Sequence, residues 1–230
     1  MAAGEVNSNI VGYTTKGVDA SKKLLSGAQF VEVGKGGLDL ASIKLEGVDP
    51  DSTTRIQWWN GTGYDQAAWL EIDDNPNNIG WGDFLSWEGV SHTFDPGEGF
   101  WILMSANVSS PKVTQAGEVA LSEANTYDFP LAASKKFMVI NPLPTDILLS
   151  DIMLIGVDPD STTRIQWWNG TGYDQAAWLE IDDNPNNIGW GDFLSWEGVS
   201  HKFVPGDGFW ITVSGNVTAP PQVKIVNQVL

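Results

Sequence analysis

Polar and apolar residues alternate along the stretch Thr53 to Trp59, which places Ile56 and Trp58 on one side. This alternation predicts a β-strand with one buried face. Asn60-Gly61 follows, and Asn-Gly is the strongest short-range hairpin signal, so Tyr64 to Ile72 is the predicted partner strand. The pattern therefore indicates a β-hairpin near the middle of the first half of the chain.

Further short apolar stretches are separated by turn residues rather than by helical periodicity. Asp73 to Asn78 is a predicted loop and Pro96 to Gly99 a predicted turn. The additional predicted strands are Tyr13 to Val18, Phe30 to Val33, Leu38 to Leu45 and Phe100 to Ser105. Many short strands joined by Gly, Pro and Asn turns are typical of an all-β fold, either a β-sandwich or a small β-barrel.

The same segment occurs twice. Residues 47–92 recur letter for letter as residues 156–201, and the similarity continues more weakly on both sides, with Gln29 to Val31 loosely matching Lys136 to Met138. A repeat of this length predicts tandem domains rather than a solenoid. We expect an internal duplication with one β domain in residues 1–117 and another in residues 118–230, joined by an extended segment from Val113 to Leu121. Recent duplication and deliberate construction both explain the identity.

Composition changes this picture mainly by exclusion. The chain of 230 residues has a formal net charge of −17, 12 tryptophans and no cysteine. The acidic balance argues against nucleic acid and anionic membranes as partners. The absence of cysteine excludes disulfides and thiolate sites, and no apolar run reaches the roughly 20 residues of a transmembrane helix. The start at Met1 lacks a signal-peptide pattern, which fits a processed exported protein or a cytoplasmic one.

Three short motifs of each repeat resemble a known kind of module. They are Asn141-Pro142-Leu143-Pro144, the hairpin Trp59-Asn60-Gly61-Thr62-Gly63-Tyr64, and Pro96 to Ile102 with its copy Pro205 to Ile211. Together they resemble the all-β repeat modules of secreted and surface proteins of bacteria such as the Verrucomicrobia and Lentisphaerae. The first repeat departs from the pattern, with Val33 to Leu38 in place of the Asn-Pro-Leu-Pro motif. The resemblance implies export, an extracellular or cell-surface location and a non-enzymatic role, and it carries no catalytic residues.

Catalysis is not indicated by the residues themselves. His92 and His201 are the two histidines of the chain and occupy equivalent positions in the repeats. No nucleophile-elbow or comparable signature accompanies them. We therefore expect turn or surface histidines, no catalytic residues and no enzyme activity.

Calcium is a weaker candidate ligand. Asp73 and Asp74, with their copies Asp182 and Asp183, lie in stretches rich in the hard oxygen ligands that Ca²⁺ prefers. The alternative is that Asp and Asn stabilise turns there through their own side chains. No cofactor is otherwise expected.

Glycan binding is the sharper hypothesis. Sugar rings stack on aromatic side chains while polar groups bond their hydroxyls, as in small-ligand sites generally. The candidate residues form two equivalent sets, which are Trp59, Tyr64, Trp69, Asn77 and Trp81, and their copies Trp168, Tyr173, Trp178, Asn186 and Trp190. The alternative is that Trp58, Trp69, Trp87 and Trp101 fill the core of a small domain. Since neighbours on a strand point to opposite faces, Trp58 or Trp59 should be exposed or covered by another domain.

A structural role is the leading expectation. The final stretch, Gln222 to Leu230, corresponds to the expected connector after the first domain. Such a segment can complete the sheet of another copy, and head-to-tail units of this kind form open fibres. We expect a non-enzymatic extracellular structural or interaction protein whose partner is itself, with a carbohydrate-binding module as the alternative.

Overall fold

The computed structural model describes residues 11–32, 34–106, 108–119, 126–169 and 171–226, except the side chains of Val11 and Ser52. Regular structure in these ranges is β-strand with short 3₁₀ turns, so the predicted all-β class is confirmed. The 3₁₀ turns are Leu40–Ser42, Ile72–Asp74, Leu149–Asp151 and Ile181–Asp183. No helix in this part of the chain has the length and hydropathy of a membrane span.

The predicted strand Leu38 to Leu45 is divided by the 3₁₀ turn Leu40–Ser42, whereas the predicted hairpin strands lie close to their expected positions. The first repeat has eleven strands among the described residues. They are β1 Val11–Gly17, β2 Lys23–Gly27, β3 Phe30–Val31, β4 Leu38–Asp39, β5 Lys44–Val48, β6 Asp51–Trp59, β7 Tyr64–Glu71, β8 Ile79–Gly82, β9 Thr93–Phe94, β10 Gly99–Leu103 and β11 Val108–Val119. The β6–β7 hairpin pairs Trp59 with Tyr64 across the expected turn. In that turn the Asn60 side-chain oxygen accepts hydrogen bonds from the backbone N–H groups of Thr62 (3.1 Å) and Gly63 (2.8 Å).

The second repeat follows the same order without a counterpart of β3. Its strands are β12 Thr126–Pro130, β13 Lys136–Ile140, β14 Ile147–Leu148, β15 Ile152–Val157, β16 Asp160–Trp168, β17 Tyr173–Glu180, β18 Ile188–Gly191, β19 Lys202–Phe203, β20 Gly208–Thr212 and β21 Val217–Val226.

Each repeat has two antiparallel sheets packed as a sandwich and a third, two-stranded sheet, which is β4-β9 in the first repeat and β14-β19 in the second. In the first repeat, β11 pairs with β1, β3 and β5, and it faces a five-stranded sheet of order β2-β10-β6-β7-β8. The second repeat has the sheets β12-β21-β15 and β13-β20-β16-β17-β18. Side chains of both sheets share one core, in which Val113 of β11 packs with Ile56 of β6 and Phe100 of β10. The alternation of the sequence thus puts one face of each sheet inside.

Strand pairing alters three of the sequence-based expectations. The expected connector from Val113 belongs to β11, a central strand of the first sheet, and pairing continues to Val119. The partner of Lys136 to Met138 in the duplication is Lys23 to Leu25, since both segments pair with the Phe-Trp-Ile strand in the same register; Gln29 to Val31 is not equivalent. Residues 120–125, which include Leu121, lie outside the described residues.

The expected free strand at the end of the chain is also paired. Gln222 to Val226 lies between β12 and β15, which occupy both of its edges. Residues 227–230 lie outside the described residues. The described part of this segment therefore offers no edge for strand addition to another copy.

Candidate binding site between the repeats

The outer faces of the two five-stranded sheets are unusually aromatic. In β6 and β10, Trp58 and Phe100 point into the core, whereas the next residues, Trp59 and Trp101, point away from it. The same alternation places Trp168 on the outer face of the second repeat. The Trp59 side chain is half-buried, because the other repeat covers it.

Glycines bring the two outer faces together. A Cβ added to Gly99 would lie 2.6 Å from Cγ of Met138, and one added to the equivalent Gly208 would overlap Leu25, the counterpart of Met138. The Pro-Gly-x-Gly-Phe-Trp motif is therefore an interdomain contact as well as a turn. The contact is not fully symmetric, since the Ile140 N–H donates to the Gly97 carbonyl at 3.0 Å and no reciprocal bond is present among the described residues.

One side of this interface is closed by aromatic packing. The ring of Trp210 meets Trp59 edge to face at 6.0 Å between centroids, and it meets Tyr64 at 6.4 Å. The Lys136 ammonium lies 4.4 Å above the Trp210 ring. Burial lowers the pKa of Lys136. The Trp210 side chain is only 5% exposed, so its ring offers no open surface to a ligand.

The other side of the interface is an open cleft of about 720 Å³. Trp168 and Tyr173 are 50% and 48% exposed there, and they meet edge to face at 5.3 Å between centroids. No ring contact joins Trp168 to Trp101 in the described part of the chain, although Trp59 and Trp210 make the equivalent contact. The lining residues are Ser21, Lys22, Lys23, Leu24, Leu25, Tyr64, Trp101, Trp167, Trp168, Tyr173, His201, Phe203, Asp207 and Gly208.

Two titratable groups of the cleft are shifted by their surroundings. Burial lowers the pKa of His201, against the opposing charges of Asp207 and Asp174. The imidazole stacks on Trp167 at 4.5 Å between centroids. Burial raises the pKa of Tyr64, opposed by a hydrogen bond with the Trp101 side chain. At neutral pH the cleft therefore offers a neutral imidazole and phenol hydroxyl beside its aromatic faces.

Several predicted glycan-binding residues are in the core. Trp69, Trp81, Trp178 and Trp190 are only 4–5% exposed. The indole N–H of Trp81 donates to the Ile43 carbonyl at 2.8 Å, as expected of a buried tryptophan. These four rings do not form the open stacking surface expected of them, and Trp178 and Trp190 reach a ligand only through a separate cavity of about 310 Å³.

The predicted asparagines lie at the opposite end of the sheet. Asn77 is in the loop after Glu71, whereas Tyr64 begins the same strand seven residues earlier. At about 3.3 Å per residue the two ends of β7 are about 23 Å apart. Asn77 and its copy Asn186 are exposed but do not belong to the cleft. Of the predicted set, Tyr64, Trp168 and Tyr173 line the cleft. Trp59 instead packs against Trp210 on the closed side of the interface.

The alternative expectation that four tryptophans fill the core is half right. Trp58 and Trp69 belong to the core of the first repeat. Trp87 is 38% exposed, with φ at +62°, and Trp101 is half-buried on the outer face.

The acidic candidates for calcium are dispersed turn residues. Asp73 and Asp74, and their copies Asp182 and Asp183, are exposed and have positive φ angles of 54–57°. No group of three or more potential metal-ligating side chains occurs among the described residues. Nearby Asp83 instead accepts hydrogen bonds from the backbone of Leu85 and Ser86, both at 2.8 Å, which is the turn-stabilising role.

The histidines are packing residues rather than surface residues. His92 and His201 are half-buried and stack on the core tryptophans Trp58 and Trp167, with ring centroids 4.5 Å apart in each case. His92 Nε2 lies 3.8 Å from the Glu98 carboxylate, too far for a hydrogen bond.

Sequence reasoning missed the cleft residues Lys22, Lys23, Trp101 and Asp207. A signal was present, because Ser-Lys-Lys followed by two apolar residues occurs in both repeats, at Ser21 and at Ser134. This signal does not by itself indicate a site, because it lies outside the identical segment and carries no motif for a known chemistry.

Comparison with known proteins adds a partial similarity. Residues 175–217 match the family model of the MATH domain, which is a β-sandwich domain. The match covers β17 to β20 and less than half of the chain. No curated protein matches the sequence. The second repeat is thus similar over this stretch to a MATH domain, in agreement with its sandwich fold.

Proposed function

We propose that the protein is a non-enzymatic interaction protein that acts outside the cell or at its surface, and that the cleft between its repeats binds carbohydrate. The exposure of Trp168 and Tyr173 beside Trp101 carries this proposal. Solvent-exposed aromatic rings lining one concave site are costly to maintain without a ligand. The resemblance to bacterial surface modules and the partial similarity to a MATH domain, a protein-interaction module, support a binding role.

The chemistry of the cleft suits sugar rings. The ring faces of Trp168 and Tyr173 can stack against C–H faces, while Ser21, His201 and Asp207 can exchange hydrogen bonds with hydroxyl groups. The site is composite, since both repeats contribute to it. We therefore propose one cleft for each chain in place of the two equivalent sites expected from the duplication.

A fluorescence titration of the full chain with a panel of oligosaccharides tests this function. Trp168→Ala should abolish or reduce the response at least tenfold, because it removes the most exposed ring of the cleft. Trp196→Ala is the matched control, as Trp196 is 39% exposed in the same repeat and does not line the cleft. Equal loss in both variants, or no response from the unaltered protein, would overturn the proposal.

Self-assembly is a second candidate, supported by the sheet edges. The strands β8 and β18 end their five-stranded sheets and carry Ile79 and Ile188, which are 41% and 45% exposed. The N–H groups of Val90 and Val199 already donate to the Trp81 and Trp190 carbonyls at 3.0 Å, so the part of each edge that can pair with another chain lies around Ile79 and Ile188. A dilution series followed by light scattering should show concentration-dependent mass, and Ile79→Lys with Ile188→Lys should reduce it. A constant monomer mass would exclude this candidate.

A further inference from the structure

The cleft reverses the sign of charge that dominates the chain. The protein has 29 acidic and 12 basic residues apart from histidine. The lining of the cleft, however, contains Lys22 and Lys23 and one carboxylate, that of Asp207, while the Asp174 carboxylate acts on His201 from beyond the lining. The Asp207 Oδ2 atom already accepts a hydrogen bond from the Val204 backbone at 2.9 Å, and its charge acts on Lys16. The two cleft lysines are therefore not neutralised by the wall opposite them.

The backbone holds this lysine pair in place. Ser21 has φ at +58°, and its N–H donates to the Ser105 carbonyl at 3.0 Å. The Lys22 carbonyl accepts from the Met104 N–H at 2.9 Å. Both lysines are exposed and neither forms an ion pair in the described residues. Their ammonium groups are thus carried on a fixed turn at the cleft mouth.

The other repeat shows what such a lysine does when the interface closes. Lys136 occupies the position of Lys23 in the equivalent strand and lies over the ring of Trp210. On the open side, no cation–π contact joins Lys23 to Trp101 within the described ranges. On the open side, Lys23 therefore keeps an exposed ammonium group in a cleft that the half-buried Trp101 ring also lines.

We infer that the ligand of the cleft is an anionic sugar, carrying a carboxylate or a sulfate group, which stacks on the Trp168 and Tyr173 rings and pairs with Lys22 and Lys23. This inference rests on the proposed carbohydrate-binding function. The acidic chain as a whole repels an anionic polymer. Screening confines that repulsion to about 8 Å at physiological salt, so the positive charge at the cleft itself decides whether such a polymer binds there. A neutral sugar offers these ammonium groups only hydroxyl oxygens, whereas a carboxylate or sulfate accepts stronger, charge-assisted hydrogen bonds from them.

Two matched pairs of probes separate charge from stacking. Oligogalacturonate is compared with its fully methyl-esterified form, and a sulfated galactan oligosaccharide with its desulfated form, by calorimetry at low salt. We expect the charged member of at least one pair to bind the full chain at least tenfold more tightly. The preference should fall with added salt, and the pair that shows it identifies the anionic group.

The lysines are tested by the double variant Lys22→Gln, Lys23→Gln, which should remove the preference for the charged probe. The matched control is Lys44→Gln, Lys112→Gln, which makes the same change of charge on exposed residues of the other sheet. Equal binding of charged and neutral probes would overturn the inference and leave the carbohydrate function standing. Equal loss in both double variants would also overturn it, and no binding of any sugar would overturn both proposals.

Discussion

Trp59 of the first repeat packs edge to face against Trp210 of the second, with ring centroids 6.0 Å apart and planes at 87°. Their sequence counterparts, Trp168 and Trp101, make no such contact in the described chain, and Trp168 is 50% exposed. Identical segments therefore have different surroundings, which converts one aromatic pair into part of an interface and the other into part of a cleft.

Core and cleft tryptophans should differ sharply in their effect on stability. Trp178→Ala removes a large side chain that is 5% exposed, so we expect a loss of about 3–5 kcal/mol in the free energy of unfolding. Trp168→Ala serves as the comparison and should cost less than about 1 kcal/mol, since its ring is half exposed. Urea denaturation measures both. Similar losses would contradict the placement of Trp178 in the core.

The close approach of the repeats depends on Gly208. Gly208→Ala places a methyl group against Leu25, so we expect destabilisation of about 1–3 kcal/mol from overpacking. Gly36→Ala is the control, because no atom lies within 4 Å of an added Cβ there. Chemical denaturation and the scattering profile should both change for Gly208→Ala alone. An unaltered profile would argue against this interface.

A buried asparagine organises the second repeat. Asn141 is fully buried, and its side chain donates to the Thr145 carbonyl at 2.8 Å and the Phe203 carbonyl at 3.2 Å, while accepting from the Leu143 N–H at 3.0 Å. Asn141→Ala leaves these groups unsatisfied and should cost about 1–3 kcal/mol. The exposed Asn77→Ala should be near neutral. Urea midpoints that do not separate the two variants would refute this role.

Acid should weaken the protein partly through Asp160. Burial alone raises the pKa of this carboxyl group, but hydrogen bonds from Ser214, Thr162 and Thr163 outweigh it and lower the pKa to about 2. Its contribution is therefore present above the unfolded pKa of about 3.9 and is lost as pH falls towards 2. Asp160→Asn should be less stable than the unaltered protein at pH 5 and equal to it near pH 2.

The control for this pH dependence is Asp158→Asn, because the Asp158 side chain is exposed. Urea midpoints at pH 5 and pH 2 provide the measurement. A difference between Asp160→Asn and the unaltered protein that stays constant over this range would contradict the hydrogen-bonded carboxylate.

Calcium should leave the melting temperature unchanged. Asp182 and Asp183 are exposed turn residues, and the described residues contain no cluster that would supply several carboxylates to one ion. Scanning calorimetry with excess Ca²⁺ and with chelator measures this, and Asp182→Asn with Asp183→Asn serves as the site control. A rise of several degrees with Ca²⁺ that the double variant abolishes would establish a site.

The fold of each repeat was predictable from local patterns. The alternation around Ile56 and Trp58 and the Asn60-Gly61 turn place the hairpin, because strand period and turn chemistry act over a few residues. The strand Lys23–Gly27 was missed, since its short length gives too little alternation to recognise. The central role of β11 was missed as well, because strand order depends on pairing between distant segments.

The sequence by itself determined the all-β class, the duplication and the alternation that puts Trp58 and Trp167 on the strand face opposite to Trp59 and Trp168. It could not determine whether Trp59 or Trp168 would be covered, since both lie in the same 46 letters. Tertiary structure decided that, because the contact between the repeats also uses segments outside the identical block, which contain Leu25 in the first repeat and Met138 in the second. The two repeats also follow one another in one chain, so they are not related by exact symmetry. The cleft is the consequence of that asymmetry.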